Sequence, residues 1–226
     1  MPFGAIYRAW RRLAYSRLIV LDQIKRAAAA QHLDIFGALH EGADTIILLG
    51  PLEPGFWPHI NAAPEFQDGA RDPLDRYSHR IITDLANSFG AKAVFPSDGP
   101  PYPPFISWAL ASGRAWASPV GMLVHDSAGL FVSYRGALRV SRRFDLPEPS
   151  QNPCTTCAKP CITACPVNAL STEVYAVEAC RSHIKAIDST SCRPKGCAAR
   201  RACPVSQTYG RLPEQSAFHM RAFLGE

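Results

Sequence analysis

The chain has 226 residues, 47% of them apolar, 10% aromatic and 19% charged, which is the balance of a sequence that buries a core, and its formal charge is +5. Twenty prolines and fifteen glycines without a fixed period exclude a simple helical bundle, a collagen and a solenoid. No apolar run approaches the roughly 20 residues of a membrane-spanning helix, since the best stretch, Leu18 to Leu21, is bounded by Arg17 and Asp22.

Residues 3–17 place Phe3, Ile6, Tyr7, Trp10, Leu13 and Ala14 at helical spacing, with Arg8, Arg11, Arg12 and Arg17 largely opposite. This reads as a surface helix packing on its own domain, with contact to anionic lipid or an acidic partner as the alternative. The same segment lacks an unbroken apolar stretch and a small-residue cleavage site, so the expectation is a cytoplasmic chain without a secretory signal. A second helix is expected over Leu21–Gln31, followed by strands over Asp34–Leu39 and Thr45–Gly50. In the latter, the run Ile46 to Leu49 suits a strand buried on both faces. Pro73 opens a helix that carries Leu74, Tyr77, Ile81, Ile82, Leu85 and Phe89 on one stripe and closes at Gly90. Lys92–Phe95 reads as a strand, and the proline-rich run from Pro96 to Pro104 as a stiff loop. Helix resumes over Phe105–Ser112, and short strands are expected over Val120–Val124, Leu130–Tyr134 and Ala137–Arg142. The mixture indicates an α+β or α/β first domain. Asp145–Pro153, with three prolines, is the natural linker, which divides the chain into residues 1–148, a cofactor- or partner-binding domain, and residues 149–226. Gly50 to Gly55 follows a strand but lacks G-x-G-x-x-G, so a dinucleotide site has no support.

All eight cysteines fall between Cys154 and Cys203. In a reducing cytosol eight cysteines point to metal rather than to disulfides. The first group reads Cys154-x2-Cys157-x3-Cys161-x3-Cys165-Pro166, one residue longer than the bacterial ferredoxin run C-x2-C-x2-C-x3-C-P. The second is looser: Cys180, then Cys192-x4-Cys197-x5-Cys203-Pro204. Eight thiolates and two Cys-Pro pairs are what two four-iron, four-sulfur (4Fe-4S) clusters require, and in such paired folds the cysteine before proline ligates the other cluster. The expected sets are therefore Cys154, Cys157, Cys161 and Cys203 for one cluster, and Cys165, Cys180, Cys192 and Cys197 for the other. Two zinc-thiolate knuckles are the alternative, although zinc ribbons usually pair two C-x2-C knuckles and only one is present. The small and apolar residues among the ligands, such as Ile162, Ala164, Ala198 and Val205, would shield clusters from water.

Charge follows the same division. Residues 1–153 hold 15 basic and 14 acidic side chains, and residues 154–226 hold 9 and 5. Two oxidised clusters with their thiolates carry roughly −2 each, which brings the +5 of the bare chain to about +1. The basic excess of the cysteine region therefore reads as counter-charge for clusters, not as a nucleic-acid surface.

Gly196-Cys197 followed by Cys203-Pro204, the preceding Glu178-Ala179-Cys180-Arg181-Ser182-His183-Ile184, and the run from Cys154 to Leu170 resemble the double-cluster module of epoxyqueuosine reductase and of its relatives, the corrinoid-dependent reductive dehalogenases. Gly121 to Leu138 and Asp75-Arg76-Tyr77-Ser78-His79-Arg80 extend the resemblance upstream. It implies a nitroreductase-like α/β N-terminal domain, related to cobalamin-processing decyanases, followed by a two-cluster bacterial ferredoxin-like domain. It also implies one-electron transfer from the clusters to the cobalt of a bound cobalamin, with a side chain supplying a proton. By position Tyr77 takes that catalytic role, with Asp75 the neighbouring alternative and a plain core tyrosine the competing reading. The sequence departs from the pattern in two places. No cysteine stands near Ala199 or Arg200, so Cys192 must substitute from upstream. The chain also ends 23 residues after Cys203, where epoxyqueuosine reductases carry a helical-repeat extension that helps hold tRNA, which argues against a tRNA substrate.

Further cofactor-binding candidates lie in the first domain. His125 stands at a strand end, and Trp57 and Tyr102, with Phe56, Phe105 and Trp108, are candidates to wall an apolar pocket under the proline loop. Arg139, Arg142 and Arg143 precede the linker, facing a cluster, an acidic donor or solvent. No hydrolytic constellation is present. The sequence reading is an oxidoreductase with two 4Fe-4S clusters and a corrinoid, served by an electron donor such as flavodoxin, ferredoxin or a flavin reductase. A ferredoxin-type electron carrier without an organic cofactor and a cobalamin-reducing or decyanating protein are its alternatives.

Overall fold

The computed structural model describes residues 21–186 and 191–226; the expected helix over residues 3–17 lies outside them. Its architecture is mixed α+β with small antiparallel sheets. Helix α1 (Leu21–Ala29) leads into the hairpin of β1 (Leu33–Glu41) and β2 (Asp44–Pro51). Together with β3 (Lys92–Val94) and β6 (Gly136–Val140), these strands form one antiparallel sheet in the order β1-β2-β6-β3. Strand side chains alternate between faces, and β2 uses both. Ile47 and Leu49 pack against α1, α2 (Phe56–Asn61) and α4 (Pro73–Ser88), whereas Ile46 and Leu48 pack against α5 (Phe105–Ala111). All four are fully buried, which is why the run reads as continuous apolar sequence instead of alternating.

Helix α4 begins at Pro73 as expected and lays Leu74, Tyr77, Ile81, Ile82 and Leu85 on the sheet. A short α3 (Pro64–Gln67) leads towards it, and Glu65 of α3 is bonded by the Arg80 guanidinium of α4. The proline-rich run from 96 to 104 contains neither helix nor strand. Two expectations change. The strand expected over Val120–Val124 is shifted to β5 (Leu123–His125) and pairs with an unanticipated β4 (Ala115–Ala117). Leu130 to Tyr134 is not a strand: Leu130 and Phe131 are buried, but they serve the second half of the molecule instead of a sheet.

That second half is built from a 3₁₀ turn (Pro160–Ile162) and the helices α6 (Val177–Lys185), α7 (Cys192–Lys195), α8 (Ala198–Ala202), α9 (Pro204–Thr208) and α10 (Pro213–Leu224). The run from 145 to 153 contains neither helix nor strand, as a linker should, yet it is tied down: Ser150 donates its N–H to the Gly113 carbonyl and its hydroxyl to Asp126. The halves are joined at several points. Leu130 N–H donates to Ser206 Oγ at 2.8 Å, the Arg200 guanidinium donates to the Leu130 carbonyl, and Tyr209 donates to the Pro51 carbonyl. Phe218 of α10 packs on Trp57 and Phe66 of the first half. No helix among the described residues is long and apolar enough to cross a membrane.

Candidate metal centres

Proline geometry positions the two key cysteines. A residue before proline is kept out of the helical region, and Cys203 sits in extended conformation between α8 and α9, with Pro204 opening α9. The chain therefore turns at Cys203, which is buried with Cys161, Ala199, Val120, Val124 and Leu130. Cys154 is half-buried at the edge of the same layer. Burial, and then the neighbouring Cys203, Cys157 and Cys161, push the Cys154 thiol above its ordinary pKa; burial, Cys203 and Cys157 do the same for Cys161. Like charges close together raise each other's pKa, and Cys154 and Cys161 each feel both Cys157 and Cys203.

The other four gather around a cavity of about 390 Å³, whose walls include Cys165, Cys180, Cys192 and Cys197. Burial raises the Cys180 thiol, with Cys197, Cys165 and Cys192 adding to the shift, and burial raises Cys192 with Cys197 and Cys165 adding. Gly196 holds φ at +84°, and a β-carbon there would stand 2.5 Å from the Ser216 β-carbon, so only glycine allows α10 to close this wall against the loop before Cys197. Polar hydrogens are aimed at the sulfurs: Lys159 N–H at Cys157, Ala169 N–H at Cys165, and the Tyr175 hydroxyl at Cys180, 3.7 Å away. Cys197 also touches the apolar layer around the first group, so the two groups adjoin. Among the described residues no His, Cys, Asp or Glu cluster has the closeness of a single-ion site; a four-iron cube holds its thiolates at separate corner irons and spreads them wider than one ion does.

Cys154, Cys161 and Cys203 thus share one buried layer, and Cys165, Cys180, Cys192 and Cys197 line one cavity. Four thiols per group, partly withdrawn from water, with donors directed at their sulfurs, fit a 4Fe-4S cluster.

The first-half candidates do not converge. Tyr77 is 1% exposed in the core against Phe56, and its hydroxyl donates to the Gln31 carbonyl at 3.2 Å. Asp75 is exposed and pairs with Arg135 at 3.4 Å. Trp57 packs on Phe66 and Phe218, Tyr102 is 65% exposed on the proline loop, and His125 is wholly buried with Nε2 bonded to the Phe36 carbonyl. The aromatic wall expected under the proline loop is divided by the sheet, with Phe56 on one face and Phe105 and Trp108 on the other. Arg139 pairs with Glu41 and Asp44, and Arg143 donates to the Gly42 carbonyl; both serve the β1–β2 turn. Arg142 lies over the Phe144 ring.

Sequence reasoning missed the other walls of the cavity: Arg200, Arg211 and His219 with Phe131, Met122 and Phe223. Arg211 is 5% exposed, with Glu53 at 3.7 Å, and its Nε and Nη1 have no hydrogen-bond partner. Burial, then Arg211, Arg135 and Arg200, push the His219 imidazole down to about 2, so it is neutral. The available signal was the density of arginine after Cys192, which was assigned to net charge instead of to particular positions.

In comparisons with known proteins, no family model, no curated protein and no solved structure matches this chain.

Proposed function

We propose that the protein is a two-cluster iron–sulfur electron-transfer protein, with Cys154, Cys157, Cys161 and Cys203 holding one 4Fe-4S cluster and Cys165, Cys180, Cys192 and Cys197 the other. A cluster of this kind, when bound, accepts and returns one electron at a time. The observation that carries the reading is the exchange of the two Cys-Pro cysteines: Cys203 lies with the early cysteines, and Cys165 lies with the late ones. The chain's own part is to withdraw eight thiols from water, to aim N–H and O–H donors at them, and to bring the two groups together.

The cavity walled by Cys165, Cys180, Cys192 and Cys197 is where the second cluster would sit. The residues proposed to hold a corrinoid, Trp57, Tyr102 and His125, stand apart. With those residues apart, the carrier reading is preferred to the corrinoid reductase.

Cysteine variants test the ligand sets. After anaerobic reconstitution, Cys154→Ala and Cys203→Ala are expected to remove the same electron paramagnetic resonance signal, and Cys165→Ala the other. Loss of one signal in both Cys161→Ala and Cys165→Ala, with Cys203→Ala removing the opposite one, contradicts the exchange. Added cobalamin is expected to leave both signals and its own visible spectrum unchanged; cobalt reduction by the reduced protein would restore the corrinoid reading.

A further inference from the structure

The two cysteine groups are alike in burial and unlike in charge. Each has two buried and two half-buried cysteines. The first is surrounded by Val120, Val124, Leu130 and Ala199, and the cation that acts on Cys154 is the exposed Lys159. The second is set among arginines that the protein holds in place. The Arg200 guanidinium is anchored on the Leu130 carbonyl and interacts with Cys197 and Tyr175. Arg201 is fixed by the Gly196 carbonyl and Ser191 Oγ, and acts on Cys192. Arg211 lines the same cavity but is compensated by the buried Glu53 carboxylate 3.7 Å away, and among the described residues no carboxylate lines the cavity itself. Hydrogen bonding does not separate the groups: the Tyr175 hydroxyl and Ala169 N–H donate to Cys180 and Cys165, and backbone N–H groups donate to Cys157 and Cys161.

Cluster potential is set by net charge, hydrogen bonds to sulfur and exposure. Reduction of an oxidised cluster adds one electron and makes the site more negative by one charge, from about −2 to about −3 with its four thiolates. Fixed cations stabilise the reduced form more than the oxidised form, and in a partly desolvated site they act with little screening. Exposure is matched between the groups, so charge decides the order.

We infer that Arg200 and Arg201 make the second cluster the higher-potential one, so that an electron delivered by a low-potential one-electron donor settles there. The resting place of the electron is then built into the chain, at the second group. This rests on the proposed function, because it requires both clusters.

The test is an anaerobic redox titration of the reconstituted full chain, with dithionite as reductant and electron paramagnetic resonance as readout. Two signals are expected at separate midpoints, the higher one being absent in Cys165→Ser and retained in Cys154→Ser. Arg200→Gln is expected to lower that midpoint and leave the other unmoved, and Arg200→Lys to restore most of it. Arg201→Gln, which spares the Leu130 carbonyl, gives the same reading if Arg200→Gln does not fold. A higher midpoint lost in Cys154→Ser, or arginine variants that shift both signals equally or neither, overturns the inference while leaving the two-cluster function standing. A chain that takes up no iron and sulfide defeats the function itself.

Discussion

Tyr77 and Asp126 show how burial separates structural residues from chemical ones. Burial raises the Tyr77 phenol to about 12, and its hydroxyl is spent on one backbone carbonyl. Tyr77→Phe is expected to cost about 1 kcal/mol in denaturant unfolding and to leave both cluster signals unchanged; a lost or altered signal would return Tyr77 to the redox chemistry. Burial works to raise the Asp126 carboxyl, but hydrogen bonds from Arg114 and Ser150, with the charges of His125 and Arg114, outweigh it and hold the pKa below the ordinary value. Arg114 grips it through Nε and Nη2, both at 2.8 Å, and reaches the Ile35 carbonyl through Nη1. A carboxyl depressed in the folded state contributes stability that is complete above its unfolded pKa of about 3.9 and is lost as pH falls through the lower folded value. Asp126→Asn is expected to lose about 3 kcal/mol at neutral pH and to flatten the acid limb of stability against pH; an unchanged limb would contradict the assignment. The cysteines were legible in the sequence because their chemistry depends on type and spacing. Arg200 and Arg211 were not, because a cation's role depends on which wall it faces, and that is decided by contacts more than sixty residues apart in the chain.

At the scale of elements, β2 and α4 were legible because one physical cause dominates each: burial on both faces in Ile46 to Leu49, and a helical stripe begun at Pro73. Leu130 to Tyr134 was misread because an apolar run states that residues are buried without stating against what. Leu130 covers the first cysteine group and Phe131 lines the cavity of the second. The β4–β5 hairpin is too short for a periodic signal, yet it presents Val124 to the first group. Gly129 is the close contact of this arrangement, at φ +57°, where a β-carbon would stand 2.4 Å from the Ser206 nitrogen. Gly129→Ala is therefore expected to destabilise the chain by about 1–3 kcal/mol or more and to loosen iron from the first group before the second, followed by the decay of the two signals under a chelator. Equal decay would show that this contact does not support the first group in particular.

For the whole molecule, the division near residue 148 coincides with a change of composition and not with a loss of contact. Hydrogen bonds from Leu130 to Ser206, from Tyr209 to Pro51 and from Arg200 to Leu130 cross it, and α10 returns to the first half through Phe218. The first half thus acts as one wall for both cysteine groups. This part of the design was hidden in the sequence because it lies in pairings between residues that are distant along the chain.

Cluster content tests the account most directly: iron, acid-labile sulfide and zinc measured on the anaerobically reconstituted full chain, together with its reduced electron paramagnetic resonance spectrum. The account predicts about eight irons and about eight sulfides per chain, with two signals of reduced four-iron clusters. Zinc without sulfide, bound by the same cysteines, would contradict it.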